Sequence, residues 1–233
     1  MTASAPLEPD VADERLILLL VGAVGAGKGT QASILSRELG IPHLASGNLF
    51  RAAMAAGTPL GEEARGYMER GELVPDETTI GMFMEELARP GAARGAILDG
   101  FPRTVGQSTA LDETLAAQGE RIRRVISIEV PTEELVRRVA GRWVCPQCGT
   151  PYHAITDPPR TAGVCNKDGA QLRQRDDDRP EVVRARLERQ VPPMLQVVDH
   201  YEGSGIVDHL DGTQPIDAVT ASILSRVGAR IRS

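Results

Sequence analysis

The chain has 233 residues, 41% apolar and 25% charged, and its 26 basic and 32 acidic side chains leave a net charge of −6. Those are ordinary globular values, in a chain long enough to bury roughly three quarters of the surface it exposes when extended. The negative balance argues against broad phosphate neutralisation on nucleic acid, the longest apolar run (Leu16–Val21) is far too short to cross a bilayer, and three cysteines are poor material for a disulfide framework.

Residues 1–14 are acidic and Pro-bearing, lack the features of a secretory signal, and read as a disordered tail. A soluble, cytoplasmic protein with neither nucleic-acid nor membrane partners is expected. Leu16–Val21 is a continuous apolar run of the kind found in strands buried on both faces. Gly22 to Gly29 interrupts it, and Thr30 to Leu39 resumes at helical spacing. Ile41 to Ala45, Ala96-Ile97-Leu98, Val125 to Ile128 and Ile206-Val207 are further short strand candidates, separated by charged, helix-patterned sequence. Strands alternating with helices predict a doubly wound α/β fold, about five parallel strands covered on both faces.

Two stretches break that rhythm. Residues 46–75 carry short amphipathic helical pieces without a strand, and residues 141–178 hold all the cysteines and almost no helical period. Both read as insertions at the carboxyl edge of the sheet, where such folds bind ligands. The core is then 15–45, 76–140 and 179–233. Trp143 is expected to pack at the root of the second insertion, Met82-Phe83-Met84 to face the core, and the arginines of 121–124 to be solvated surface. His43, His200 and His209 show no convergent partners in the sequence and are assigned to packing or surface.

Gly22-Ala23-Val24-Gly25-Ala26-Gly27-Lys28-Gly29-Thr30 lies between a predicted strand and a predicted helix. Glycines let successive N–H groups turn inward around phosphate oxygens, and the following helix adds the positive end of its dipole. Lys28 supplies a point charge toward the β/γ-phosphates and Thr30 a hydroxyl for phosphate or magnesium. Only two of the 26 basic residues are lysines, Lys28 and Lys167, so a lysine in this loop stands out. Asp99, ending the strand in Leu98-Asp99-Gly100-Phe101-Pro102-Arg103-Thr104, is placed to orient magnesium through water. Arg103 can fork onto a phosphate.

Cys145-Pro146-Gln147-Cys148 is followed after sixteen residues by Cys165-Asn166-Lys167-Asp168. That is the spacing of a two-knuckle zinc site with Asp168 in the last place, and a closed set of three thiolates and one carboxylate is structural rather than catalytic. Gly149 and Gly169 suit the turns that aim the ligands. His153 is an alternative ligand; free thiols or a Cys145–Cys148 disulfide are the other readings.

Taken in order, GAVGAGKGT at 22–30, SGNLFR at 46–51, LVPDE at 73–77, LDGFPRT at 98–104, GR at 141–142, YH at 152–153 and RDDDRPEVVRARL at 175–187 resemble the adenylate kinase family, in its long-lid bacterial form. The resemblance implies a P-loop-type five-stranded parallel sheet, an AMP-binding helical insertion at 46–75, and a lid at 141–178 that in some members holds zinc. It implies the magnesium-dependent reaction ATP + AMP ⇌ 2 ADP, in a monomer. Carried over by position, Gly25, Ala26, Gly27, Lys28, Gly29, Thr30, Arg138, Arg142 and Gln214 bind ATP. Ser46, Arg51, Glu72, Val74, Gly100, Arg103, Gln107, Arg175 and Arg186 bind AMP, and Lys28, Arg103, Arg138, Arg175 and Arg186 form the catalytic set. Departures from the family pattern are Val24 for proline, Asn48 for aspartate, Thr156 for a lid phenylalanine and Gln214 for lysine. Rival readings are a kinase for another monophosphate, a zinc-ribbon nucleic-acid binder, and a nucleotide switch without phosphoryl transfer; the last leaves Arg51 and Arg103 without a purpose.

Overall fold

The computed structural model describes residues 15–69, 74–154, 157–174 and 178–228. The expected tail at 1–14, and Glu72, Thr156 and Arg175, lie outside the described residues. Strands β1 (Leu16–Val21), β2 (His43–Ala45), β3 (Gly95–Asp99), β4 (Arg124–Glu129) and β7 (Val207–Asp211) form one sheet in the order β2-β3-β1-β4-β7. Every neighbouring pair is parallel. The central position of β1 puts a topological switch point at its carboxyl end, between β3 and β4, and the glycine loop starts there.

Side chains alternate across a strand, so β1 serves two cores at once. Leu18 and Leu20 join Ile97, Ile126 and Ile128 beneath helices α1 (Lys28–Leu39), α6 (Thr132–Ala140) and α8 (Ile216–Arg226). Ile17, Leu19 and Val21 join Leu98 and Val125 on the other face, beneath α4 (Asp76–Leu87), α5 (Val105–Ala116) and the carboxyl half of α7 (Pro180–Glu202). This double burial explains why the strand runs read as continuously apolar instead of alternating. Met82 and Phe83 are buried as the sequence suggests, and the Phe83 and Phe101 rings stack at 4.7 Å between centroids.

Between β2 and α4 run two helices, α2 (Ser46–Ala56) and α3 (Pro59–Glu69), crossing where Gly61 lies against the Ala53 carbonyl. Between α6 and α7 a small antiparallel pair, β5 (Arg142–Val144) and β6 (Pro151–His153), carries the cysteines beside it. Several readings need correction. The second strand is only His43–Ala45, because Ile41 is already spent packing under α1. The last strand starts at Val207 and reaches Asp211, polar residues included, because hydrogen bonding to β4 rather than apolar content extends an edge strand. Trp143 is exposed, since the tiny core of the second insertion closes around Tyr152 without it. Arg123 and Arg124 are half-buried at the entry to β4, where the Arg123 N–H donates to the Ile17 carbonyl. Among the described residues no helix is long and apolar enough to cross a membrane.

Candidate active site and metal centre

The loop after β1 turns through Gly25 (φ +86°) and Gly27 (φ +96°), the second acting as the N-cap of α1. A Cβ on Gly25 would stand 2.8 Å from Val139 and 3.1 Å from the Leu135 carbonyl, so α6 presses on the crest of the loop. Only glycine meets both the left-handed backbone and that close approach. Lys28 opens α1 and folds under the loop, its Nζ donating to the carbonyls of Gly22 (2.6 Å) and Ala23 (3.1 Å). Burial lowers the Lys28 pKa; Asp99 acts in the opposite sense, and Arg103 and Arg142 push it down further. The loop lysine, the carboxylate after β3, an arginine from the far side of the cleft and one from the root of the second insertion thus share one electrostatic field.

Asp99 closes β3 beside β1, and its Oδ2 lies 3.9 Å from where a Cβ on Gly29 would stand. A carboxylate at this place and the exposed hydroxyl-bearing Thr30 at the start of α1 are hard oxygen donors, the kind magnesium takes. The donor set fits a magnesium ion carried by a nucleotide.

A second constellation is built on the Gly100 turn (φ +78°). The Gly100 carbonyl accepts from Arg103 Nε (2.7 Å) and from Ser46 Oγ (3.2 Å), and Arg103 Nη2 donates to Ser46 Oγ (3.3 Å). Gln107 is buried in the first turn of α5, where Oε1 accepts from the Arg103 N–H and Nε2 donates to Asp76 Oδ1, both at 2.7 Å. One donor and one acceptor site of that amide remain for a base edge. Desolvation lowers the Arg103 pKa although part of the residue meets solvent; Asp99 opposes this, and the charge of Arg186 from α7 adds to it. Arg51 sits one turn into α2, donating from Nη2 to Asn48 Oδ1 at 2.6 Å. Val74 is buried just ahead of α4. Ser46, Gly100, Arg103, Gln107 and Arg186 therefore converge.

At the root of the second insertion Arg142 grips Asp178 through two nitrogens, Nε at 3.0 Å and Nη2, and the Asp178 side chain is fully buried. Arg138 donates to Glu134 Oε1 at 2.7 Å. The Asp211 carboxyl is held below the usual range by hydrogen bonds from Thr213, with Gln214 and the charge of Arg138 contributing. Arg138 and Gln214 therefore flank one turn after β7.

The cysteine cluster is compact: the ligand atoms of Cys145, Cys148, Cys165 and Asp168 all lie within 4.8 Å of one another. Cys148 Sγ and Cys165 Sγ are 3.6 Å apart, and Cys145 Sγ is 3.2 and 3.3 Å from the Asp168 oxygens. Tetrahedral zinc with bonds of about 2.3 Å to sulfur and about 2.0 Å to oxygen has edges of roughly 3.8 and 3.5 Å, so the set fits the ion. Each knuckle closes the same way. The Gly149 N–H reaches the Cys145 carbonyl and the Gly169 N–H the Cys165 carbonyl, with φ of +69° and +74° at the two glycines. Hydrogen bonds from Cys148, Ala170 and Cys145 keep the Asp168 carboxyl far below the usual range, and burial pushes the Cys145 thiol up to about 11. Such a thiol releases its proton when a cation takes its place. No cysteine is bridged, and His153 stands outside the group, against Gly141.

The sequence reading missed Asp76, Asp178 and the histidines. His43 bonds Asp99, His200 bonds Asp112 at 2.9 Å, and His209 joins Glu129 and Glu202. Only proximity between distant segments reveals these pairs.

A phosphate loop at the switch point, with a second arginine-bearing constellation on the turn after the neighbouring strand, defines a P-loop phosphotransferase that handles two nucleotides. The family model described as adenylate kinase matches residues 20–206. The chain is 47% identical over 208 residues to an adenylate kinase of Brevibacillus brevis, covering 89% of this chain and 97% of that one. It is likewise 47% identical over 213 residues to one of Exiguobacterium sibiricum, covering 91% and 99%, and 44% identical over 207 residues to one of Staphylococcus epidermidis, covering 89% and 96%. The chain belongs to the adenylate kinase family.

Proposed function

We propose that this chain carries out the family reaction, reversible transfer of the ATP γ-phosphoryl group to AMP giving two ADP, with the residues assigned as follows. The backbone N–H groups of Gly25 to Thr30 hold the ATP phosphates, with the Lys28 ammonium swinging from the Gly22 and Ala23 carbonyls to the β/γ oxygens. Arg51 and Arg103 hold the AMP phosphate, while Ser46, Val74, Gly100 and Gln107 line its sugar and base. Arg138, Arg142 and Arg186, joined by Arg175 and Glu72 from outside the described residues, surround the transferring group and the acceptor. Phosphoryl transfer passes through a loose transition state with charge spread over equatorial oxygens, so fixed cations and alignment supply the catalysis and no side-chain nucleophile is needed. Asp99 would orient the water shell of a magnesium ion carried by ATP, which would supply charge neutralisation at the phosphates.

Residues 46–75 form the AMP-binding part and 141–178 a lid whose closure excludes water from the γ-phosphate. Zinc held by Cys145, Cys148, Cys165 and Asp168 keeps the lid folded. The reading takes the protein as a monomer acting on ATP, AMP and ADP in the cytoplasm. The observation that supports the reading is the glycine loop at the carboxyl end of β1 with Lys28 folded under it, Asp99 Oδ2 beside Gly29, and Arg103 held on the Gly100 turn after the neighbouring strand β3. A coupled assay of ADP formation from ATP with AMP, CMP, UMP or GMP tests it. Turnover with AMP well above the others is expected, and failure to phosphorylate AMP overturns the assignment.

A further inference from the structure

We propose that His43 is a positioning residue for Asp99, holding that carboxylate in the orientation it needs toward the magnesium of bound ATP. The inference rests on the reading of Asp99 given above. His43 opens β2 and Asp99 closes β3, and in the register Ala45 lies opposite Asp99 while His43 lies opposite Ile97. His43 reaches diagonally along that face, placing Nε2 3.1 Å from Asp99 Oδ2, with side chains only 18% and 14% exposed. An ionised carboxylate only accepts, so Nε2 carries the hydrogen and donates it.

What the bond does follows from the rest of the neighbourhood. The terminal torsion of an aspartate is broad, so an untethered carboxylate turns easily. The charges of Lys28 and Arg103 both act on Asp99. Left loose, Asp99 collapses onto one of these cations as a direct ion pair and is withdrawn from the metal's water shell. A donor on Oδ2, the same oxygen that faces Gly29, fixes the plane of the carboxylate while its remaining lone pairs stay available to a metal-bound water.

The test compares His43→Leu, His43→Asn and His43→Gln with the parent chain, and adds Asp99→Asn alone and combined with His43→Leu. Calorimetry gives ATP affinity with and without magnesium; the ratio of the two isolates the metal's contribution, which a merely structural defect leaves unmoved. His43→Leu and His43→Asn are expected to lower that ratio roughly 10-fold, the lower end of what loss of an outer-shell partner costs. Glutamine, which reaches as far as the imidazole Nε2, restores most of it. In the Asp99→Asn background His43→Leu adds less than about 2-fold, because the pair acts as a unit. Should the leucine variant not fold, the contrast between asparagine and glutamine decides alone. A parent ratio retained in His43→Leu or His43→Asn, or a leucine effect undiminished without Asp99, overturns the proposal. If instead Asp99→Asn matches the parent, the magnesium reading of Asp99 fails, and the assignment of His43 falls with it.

Discussion

Stripping the metal from the lid separates what zinc contributes from what packing contributes. The described lid core consists of Cys145, Tyr152, Cys165 and Leu172, with Ala170 against it. Apart from the ligands, only Tyr152 and Leu172 are large buried side chains there, worth together about 3–6 kcal/mol at ~1.5–3 kcal/mol each. A structural zinc ion contributes about 10–16 kcal/mol of apparent binding energy at neutral pH. The ion thus outweighs the apolar core of the lid by about 1.7-fold at the least. A strong chelator is then expected to unfold the lid while the sheet stays intact. Even a net loss of ~4 kcal/mol accelerates exchange of lid amides by about 10³-fold at ~1.4 kcal/mol per decade. The amides to follow by hydrogen-exchange mass spectrometry are those of Cys145, Gly149, Cys165 and Gly169, all hydrogen-bonded within the two knuckles. Those of β1 and β4 serve as the internal reference. Trp143, the single tryptophan, lies in β5 and gives an optical readout of the same event. Unchanged exchange at the knuckle amides, with metal analysis showing the ion gone, refutes the reasoning; so does freshly purified protein carrying well under one zinc per chain.

Arg103→Ala is expected to keep the fold and lose ~2–4 kcal/mol of transition-state stabilisation, read as kcat/KM for AMP; a near-normal value removes Arg103 from the site. Gly61→Ala puts a methyl group into the Ala53 carbonyl at the α2–α3 crossing, so KM for AMP should rise several-fold while KM for ATP barely moves, and equal changes in both speak against a separate AMP-binding part. Hydrogen bonds to Glu129 and then Glu202 raise the His209 pKa. Its contribution to stability is therefore fully present below the unfolded value of about 6.5 and lost as pH rises through the raised folded value. The side chain is 48% exposed, so His209→Ala should cost at most ~1 kcal/mol at pH 6, a few degrees in Tm, and progressively less in alkali. A cost that grows with pH contradicts that sign.

Motifs whose parts lie within one turn of chain were legible before any folding. The glycine loop needs only a strand before it and a helix after it, and each cysteine knuckle closes within five residues, as the Cys145–Thr150 and Cys165–Ala170 hydrogen bonds show. The three central buried strands and the family resemblance followed from local hydrophobic pattern and motif order in the same way. The partnerships that tune the site did not. Asp99 meets His43, Gln107 meets Asp76, and Arg142 meets Asp178 across 56, 31 and 36 residues. Motifs mark Asp99, Gln107 and Arg142, but nothing in the neighbouring sequence marks the partner of each, because a polar side chain chooses its partner by the crossing of elements and the loss of competing water. The same holds for Trp143: its apolar character predicts burial, but the two knuckles leave too small a core to take it in. Residue chemistry alone pointed to the groups suited to phosphate and metal, and the parallel sheet with its two insertions decided which of them face each other.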